Sequence, residues 1–168
     1  NIADRVRKNN KIFKMIKLKS MSINHKNNNF GSTKSDDNRI TKIGSFVRKF
    51  KLDELTQVLN VFLGQMSFVG PRPNIIKDVN IYTNEEKKLL LVQPGITDFS
   101  SIIFSDEANI LKGSEHPDIK YNQVIRPWKS RLGLIYVEKR NFILDLKLIF
   151  FTATALINKK FSLRLVIY

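Results

Sequence analysis

The chain has 168 residues, 42% of them hydrophobic and 12 of them Phe, enough to bury a core and too apolar for a disordered basic tail. It has no cysteine, which excludes disulfides, thiolate zinc sites and cysteine nucleophiles. Twenty-nine Lys and Arg against 15 Asp and Glu leave a formal net charge of +14, which calls for an anionic partner: nucleic acid, a phosphorylated small molecule or an acidic membrane surface.

KIFKMIKLKSM, residues 11 to 21, alternates apolar side chains with lysines and predicts a strand or hairpin arm. Residues 22 to 38 are rich in Asn, Ser and Gly and read as a loop. From Arg39 the period changes: Ile40, Ile43, Phe46 or Val47, and Phe50 predict a basic amphipathic helix carrying Arg48. Leu55, Val58, Leu59 and Phe62 share one face of a second helix that stops at Gly64 and places Asp53 and Glu54 in its first turn. In GPRP, Gly70 to Pro73, two prolines stiffen the backbone around Arg72 and give it a fixed direction. Thr83 and Glu86 form the capping box of a third helix that ends before QPGIT. FSSIIF then reads as a strand, SDEANILKG as a short helix and YNQVIRPWKSRLGLIYVEKR as a longer amphipathic one. The closing FILDLKLIFFTATALINKKF is strongly apolar, and reads equally well as a core helix or as a helix lying in a membrane interface.

The longest apolar run, Leu148 to Ile157, falls short of the roughly 18 to 20 residues that span a bilayer. The chain opens on Asn1 without a signal-peptide pattern, so a preceding segment is expected. His25 and His116 are isolated among polar neighbours and read as solvated loop residues.

Asp53 and Glu54 admit two readings. Acids in a helix's first turn are an ordinary stabilising feature, worth roughly 0.3 to 1 kcal/mol each. The same position, with Arg48 five residues before Asp53 and Arg72 on the proline loop, suits phosphate chemistry. Guanidinium forks match phosphate oxygens, one carboxylate can bind Mg²⁺ and the other can attack phosphorus. No Walker loop or GxGxxG is present.

LDELTQVLNVFLGQMSFVGPRP, Leu52 to Pro73, closely resembles the signature of the bacterial sugar transferases, the monotopic polyprenyl-phosphate phosphoglycosyl transferases. DRVRKNNKIFKMIKLKSM, RITKIGSFVRKF, QPGIT and YVEKRNFILDLKLIFFTA are similar to other blocks of that family, so the resemblance covers nearly the whole chain. It implies an α+β fold: one helix-rich catalytic domain over residues 1–168, with short strands or hairpins and amphipathic helices at a membrane interface, lacking the family's N-terminal reentrant membrane helix. It implies transfer of a sugar 1-phosphate from a UDP-sugar to a polyprenyl phosphate such as undecaprenyl phosphate. UMP is released, and a covalent aspartyl intermediate makes the reaction ping-pong. The expected setting is the cytoplasmic face of the bacterial inner membrane, at the start of exopolysaccharide, O-antigen or protein-glycan assembly.

Carried onto this chain, Asp53 is the nucleophile, Glu54 the Mg²⁺ ligand, Arg48 and Arg72 the phosphate cations, and Pro71 and Pro73 the shapers of the loop, with Lys17 and Lys19 as nearby basic residues. Thr56, Gln93, Asp98 and Arg7 depart from the family pattern, which usually has proline, arginine, glycine and glycine there. The segment from Ser100 to Trp128 is long and is expected to shape sugar choice or membrane contact. Two other readings compete: a catalytically inactive membrane-surface scaffold, and a basic nucleic-acid module. No recognisable nucleic-acid motif supports the latter, so no nucleic-acid partner is expected.

Overall fold

A computed structural model describes residues 2–20 and 40–167, a mixture of helix and short strand. The loop expected over 22–38, with His25, lies outside the described residues. Two strands, β1 (Ile2–Arg7) and β2 (Lys11–Ile16), form an antiparallel hairpin with Ile2 opposite Ile16 and Arg7 opposite Lys11. Its turn uses Asn9 and Asn10 at positive φ, which asparagine tolerates because its short side chain bonds locally. Val6, Phe13 and Met15 are the buried members of the hairpin.

Helices α1 (Lys42–Lys49) and α2 (Gln57–Phe62) follow, joined through a 3-10 turn at Leu52–Glu54. The expected apolar stripes exist, yet they face outward: Ile43, Phe46, Leu55, Leu59 and Phe62 are exposed, while Gln57 and Asn60 are buried. Two short strands, β3 (Ser67–Val69) and β4 (Gly95–Thr97), pair in parallel. Between them lie α3 (Ile76–Asn80) and a 3-10 helix at Glu86–Leu91. The predicted capping box is present there: Thr83 N–H donates to Glu86 Oε2 at 2.9 Å, and Glu86 N–H to Thr83 Oγ1 at 3.2 Å.

FSSIIF is a helix, α4 (Phe99–Ile103), rather than a strand. The preceding Asp98 is fully extended and its carboxylate accepts the Ser101 N–H at 2.8 Å, so a side-chain cap outweighs the β-propensity of the run. Short helices α5 (Glu107–Ile110) and α6 (Pro117–Lys120) lead through a π-turn at Tyr121–Ile125 into α7 (Arg126–Lys139). The turn widens just before Pro127, which has no N–H to give to the preceding turn. The chain continues in α8 (Phe142–Ile157) and α9 (Lys159–Ile167).

Val69, Ile102, Tyr136 and Leu148 form one core cluster, with Phe151 and Leu163 packed against it. The last long helix is therefore half core: Leu148 is buried, while Phe142, Ile143, Leu146, Phe150 and Ile157 are exposed. A second cluster of Val6, Val79, Tyr82 and Leu89 joins the hairpin to α3 and α7, and a third holds Phe13 and Met15 against Met66. Among the described residues no helix is long and apolar enough to cross a membrane.

Candidate active site

The turn that carries the two acids is held from three directions. Lys51 enters it with φ 52° and ψ 26°, and Glu54 N–H closes on Lys51 O at 3.0 Å. Leu18 N–H donates to Asp53 O at 3.1 Å, and the Thr56 hydroxyl donates to Ile16 O at 3.0 Å, so the end of β2 is laced to the turn. Asn60, completely buried, completes the lacing. Its Oδ1 accepts from Ile16 N–H at 3.1 Å, and its Nδ2 donates to Lys14 O at 2.9 Å and Gln65 Oε1 at 2.7 Å. A buried amide with both ends satisfied fixes strand against helix, because breaking any one bond leaves a polar group unpaired. That lacing brings Lys17 over Glu54.

The Arg72 loop is fixed by a close backbone crossing. Gly70 N–H donates to Thr97 O and Gly95 N–H to Pro71 O, both at 3.0 Å. A β-carbon on Gly95 would lie 2.1 Å from Gly70 N, so the GPRP and PGIT segments meet only because neither carries a side chain there. From this anchor Arg72 reaches Glu54 with both guanidinium nitrogens, Nη2 to Oε1 at 2.5 Å and Nη1 to Oε2 at 3.1 Å. Lys17 Nζ adds a bond to Oε1 at 3.4 Å. The side chains of Arg72 and Glu54 retain only 25% and 15% exposure.

Burial alone would raise the Glu54 pKa, but the Arg72 guanidinium, helped by Lys17 and Lys51, holds the carboxyl down at about 2. Asp53 moves the other way: burial raises its pKa and the Glu54 charge adds to the rise, while Lys17 and Arg48 oppose it. The pKa values of the neighbouring acids are thus pushed apart, one lowered by a bidentate partner and the other raised by burial and by its neighbour's charge.

Both acids lie in a cleft of about 970 Å³, lined also by Lys17, Arg48, Lys51, Pro71, Arg72 and Pro73. In its lining Asp98, 2% exposed, accepts bonds from the hydroxyls of Ser100 and Ser101 and from the Ser101 N–H, each at 2.8 Å. The far wall comes from the 104–130 stretch, including Glu107, Tyr121, Asn122 and Lys129.

The profile of the family described as bacterial sugar transferase matches residues 2–159. The chain belongs to that family. Among its relatives, the sugar transferase EpsL of Bacillus subtilis (strain 168), itself uncharacterized, is 32% identical over 142 residues, which are 84% of this chain and 61% of EpsL. A UDP-glucose:undecaprenyl-phosphate glucose-1-phosphate transferase of Klebsiella pneumoniae is 34% identical over 154 residues, 89% of this chain and 30% of that protein. A UDP-N-acetylgalactosamine-undecaprenyl-phosphate N-acetylgalactosaminephosphotransferase of Aeromonas hydrophila is 32% identical over 105 residues, 61% of this chain and 25% of its own length. The chain spans between 23% and 61% of the length of the first three curated relatives it matches.

In this bacterial sugar transferase, seven of the eight residues singled out from the sequence line one cleft: Lys17, Arg48, Asp53, Glu54, Pro71, Arg72 and Pro73. Lys19 does not; it is exposed and outside the lining. The acids sit in a 3-10 turn leading into α2 rather than in the first turn of a regular helix, and Lys51 takes the position before that turn. Sequence reasoning passed over Asn60, Lys51 and Ser101, and noted Asp98 and Thr56 only as departures. A polar residue inside the apolar period of α2 was the available signal for Asn60.

Magnesium can be tested against the donors present. No group of three or more His, Cys, Asp or Glu among the described residues is placed to hold a metal. Glu54 Oε1 already accepts two bonds and Oε2 one, and Asp98 is engaged by serines, Oδ1 accepting three bonds and Oδ2 sharing the Ser100 hydroxyl. One spare lone pair on Glu54 fits an ion that keeps most of its shell as water and phosphate oxygens, which is the usual habit of Mg²⁺.

Proposed function

We propose that this chain is the catalytic part of an enzyme that transfers a sugar 1-phosphate from a UDP-sugar to a polyprenyl phosphate, undecaprenyl phosphate being the bacterial carrier its relatives' names specify. The observation that carries the reading is the split pair. Glu54 is locked as a carboxylate by Arg72 and Lys17, and beside it Asp53 faces the same cationic cleft with no bidentate partner among the described residues.

An Asp53 oxygen attacks the β-phosphorus of the donor, the bond from that phosphorus to the bridging oxygen breaks, and UMP leaves with the bond's electrons. The sugar phosphate is then held as an acyl phosphate on Asp53. An oxygen of the polyprenyl phosphate attacks the same phosphorus, the diphosphate-linked lipid forms, and Asp53 is released as a carboxylate. Arg72 and Lys17 keep Glu54 charged and oriented, while Arg48 and Arg72 neutralise phosphate oxygens as charge moves onto the leaving group. Magnesium bound through Glu54 and phosphate oxygens would supply further charge neutralisation.

The second substrate is a lipid, and the outward apolar faces of α1, α2 and α8 on a chain of net charge +14 support a working position at an anionic bilayer surface, which this reading takes to be the cytoplasmic face of the inner membrane. The pathway served would be the initiation of exopolysaccharide, O-antigen or protein-glycan synthesis.

The deciding experiment incubates the full-length protein with Mg²⁺ and a broad panel of UDP-sugars, reading UMP release and intact mass. One donor should release UMP and leave an adduct of one sugar phosphate, and Asp53→Asn should abolish the adduct while keeping the wild-type circular dichroism. Neither UMP nor adduct from any donor would reject the reading in favour of an inactive surface protein.

A further inference from the structure

Five described residues have positive φ: Asn9, Asn10, Gly64, Gly113 and Lys51. Glycine and asparagine enter the left-handed region readily, whereas lysine does so against its β-carbon. Its place explains the consequence: the left-handed residue sits two positions before Asp53 and brings the Lys51 side chain into the cleft that Asp53, Glu54 and Arg72 line.

The bonds made by the cleft's cations differ in kind. Lys17 and Arg72 are tied to the Glu54 carboxylate, and Lys129 to the Glu107 carboxylate. Lys51 Nζ instead donates to a neutral acceptor, the backbone carbonyl of Ser101, at 3.2 Å. An ammonium is held less firmly by a carbonyl than by a carboxylate, so an arriving phosphate can recruit Lys51 without breaking an ion pair. Arg72 Nη1 also reaches Ser101, at its hydroxyl, at 3.4 Å, so Lys51 and Arg72 converge on one side of the dyad.

We propose that Lys51 is a diphosphate-binding residue: its ammonium leaves the Ser101 carbonyl and donates to an oxygen of the phosphoryl group that Asp53 attacks. The inference rests on the transferase reading above and adds a residue to it. The competing role is purely structural, Lys51 capping a carbonyl near the end of α4, as lysines do at helix C-termini.

The two roles separate because the backbone at position 51 suits asparagine and glycine better than lysine. K51N and K51G should fold with a Tm no lower than wild type, yet bind UDP and inorganic pyrophosphate about tenfold or more weakly by titration calorimetry in Mg²⁺. UMP lacks the second phosphoryl group, so its affinity should change by less than about threefold, the loss of one charge-assisted bond being confined to the β-phosphate. Unchanged UDP binding in both variants, or a lowered Tm with UDP and UMP weakened equally, would assign Lys51 to capping and overturn the proposal. Lys51-dependent binding of UDP and pyrophosphate without UMP release from any donor would leave this inference standing while the transferase reading fell. A wild-type protein that binds neither UDP nor pyrophosphate overturns it.

Discussion

Arg72→Gln tests whether the bidentate pair organises the site. Glu54 is 15% exposed and its pKa is drawn from the ordinary 4.5 to about 2. That difference converts to about 3 kcal/mol of stability at roughly 1.4 kcal/mol per tenfold change, close to the 3 to 5 kcal/mol typical of breaking a buried pair on one side. The sign follows from the depressed pKa: the contribution is fully present above pH 4.5 and is lost as pH falls toward 2. R72Q should therefore lose about 3 kcal/mol at pH 7.5, a fall in Tm of about 6 to 12 °C for a chain of this size. The gap between wild type and variant should narrow on acidification below pH 4.5. The double variant R72Q/E54Q should recover most of the loss, because no uncompensated carboxylate is left behind. Thermal unfolding followed by circular dichroism at stepped pH reads all three. R72Q melting within about 2 °C of wild type at pH 7.5, or a double variant no more stable than R72Q, would refute the argument, since a surface pair is worth at most about 1 kcal/mol.

Lys17 lowers the Asp53 pKa against the upward push of burial, so Lys17→Met should shift the acid limb of the UMP-release rate to higher pH; an unmoved limb would show that Lys17 does not act on Asp53. Gly95→Ala puts a β-carbon 2.1 Å from Gly70 N and 2.5 Å from Gly70 O, where only backbone can give way. It should lower both Tm and UMP release, the latter by more than about tenfold because Arg72 moves with the loop. Gly133→Ala in α7 meets mainly the flexible end of Leu89 at 2.8 Å and gains about 1 kcal/mol of helix propensity, so its stability should stay within about 1 kcal/mol of wild type. Equal damage from the two alanines would contradict the crossing at Gly70 and Gly95.

The cleft was legible where chemistry is written in short motifs and obscure where it depends on distant contacts. DE and GPRP announced carboxylates and a rigid arginine, and the structure joins them through Arg72 and Glu54. Nothing in the sequence says that PGIT must touch GPRP, because that contact is made by two backbones with no side chain to leave a pattern. The strand expected at FSSIIF rested on composition, and a single capping carboxylate at Asp98 outweighed it. β1 gave little signal because Val6 alone among its residues is buried. Periodicity found the apolar stripes of α1 and α2 correctly but carries no information on direction. Leu59 and Phe62 face out because the other side of α2 is committed to Gln57 and to Asn60, whose amide clamps β2.

That inversion bears on the acids themselves. A regular helix beginning at Asp53 would have supplied a macrodipole to hold both carboxylates ionised, and the dipole would have treated the two alike. The chain instead runs through a 3-10 turn of three residues into an α2 of six, too short a stack of peptide dipoles to dominate, and the ionisation is set by side chains that distinguish the neighbours. Glu54 receives the guanidinium fork and Asp53 does not. Two adjacent carboxylates that a helix dipole would have left equivalent are made unequal by one arginine on a proline-braced loop, and the proposed division of labour between nucleophile and charge-holder requires that inequality.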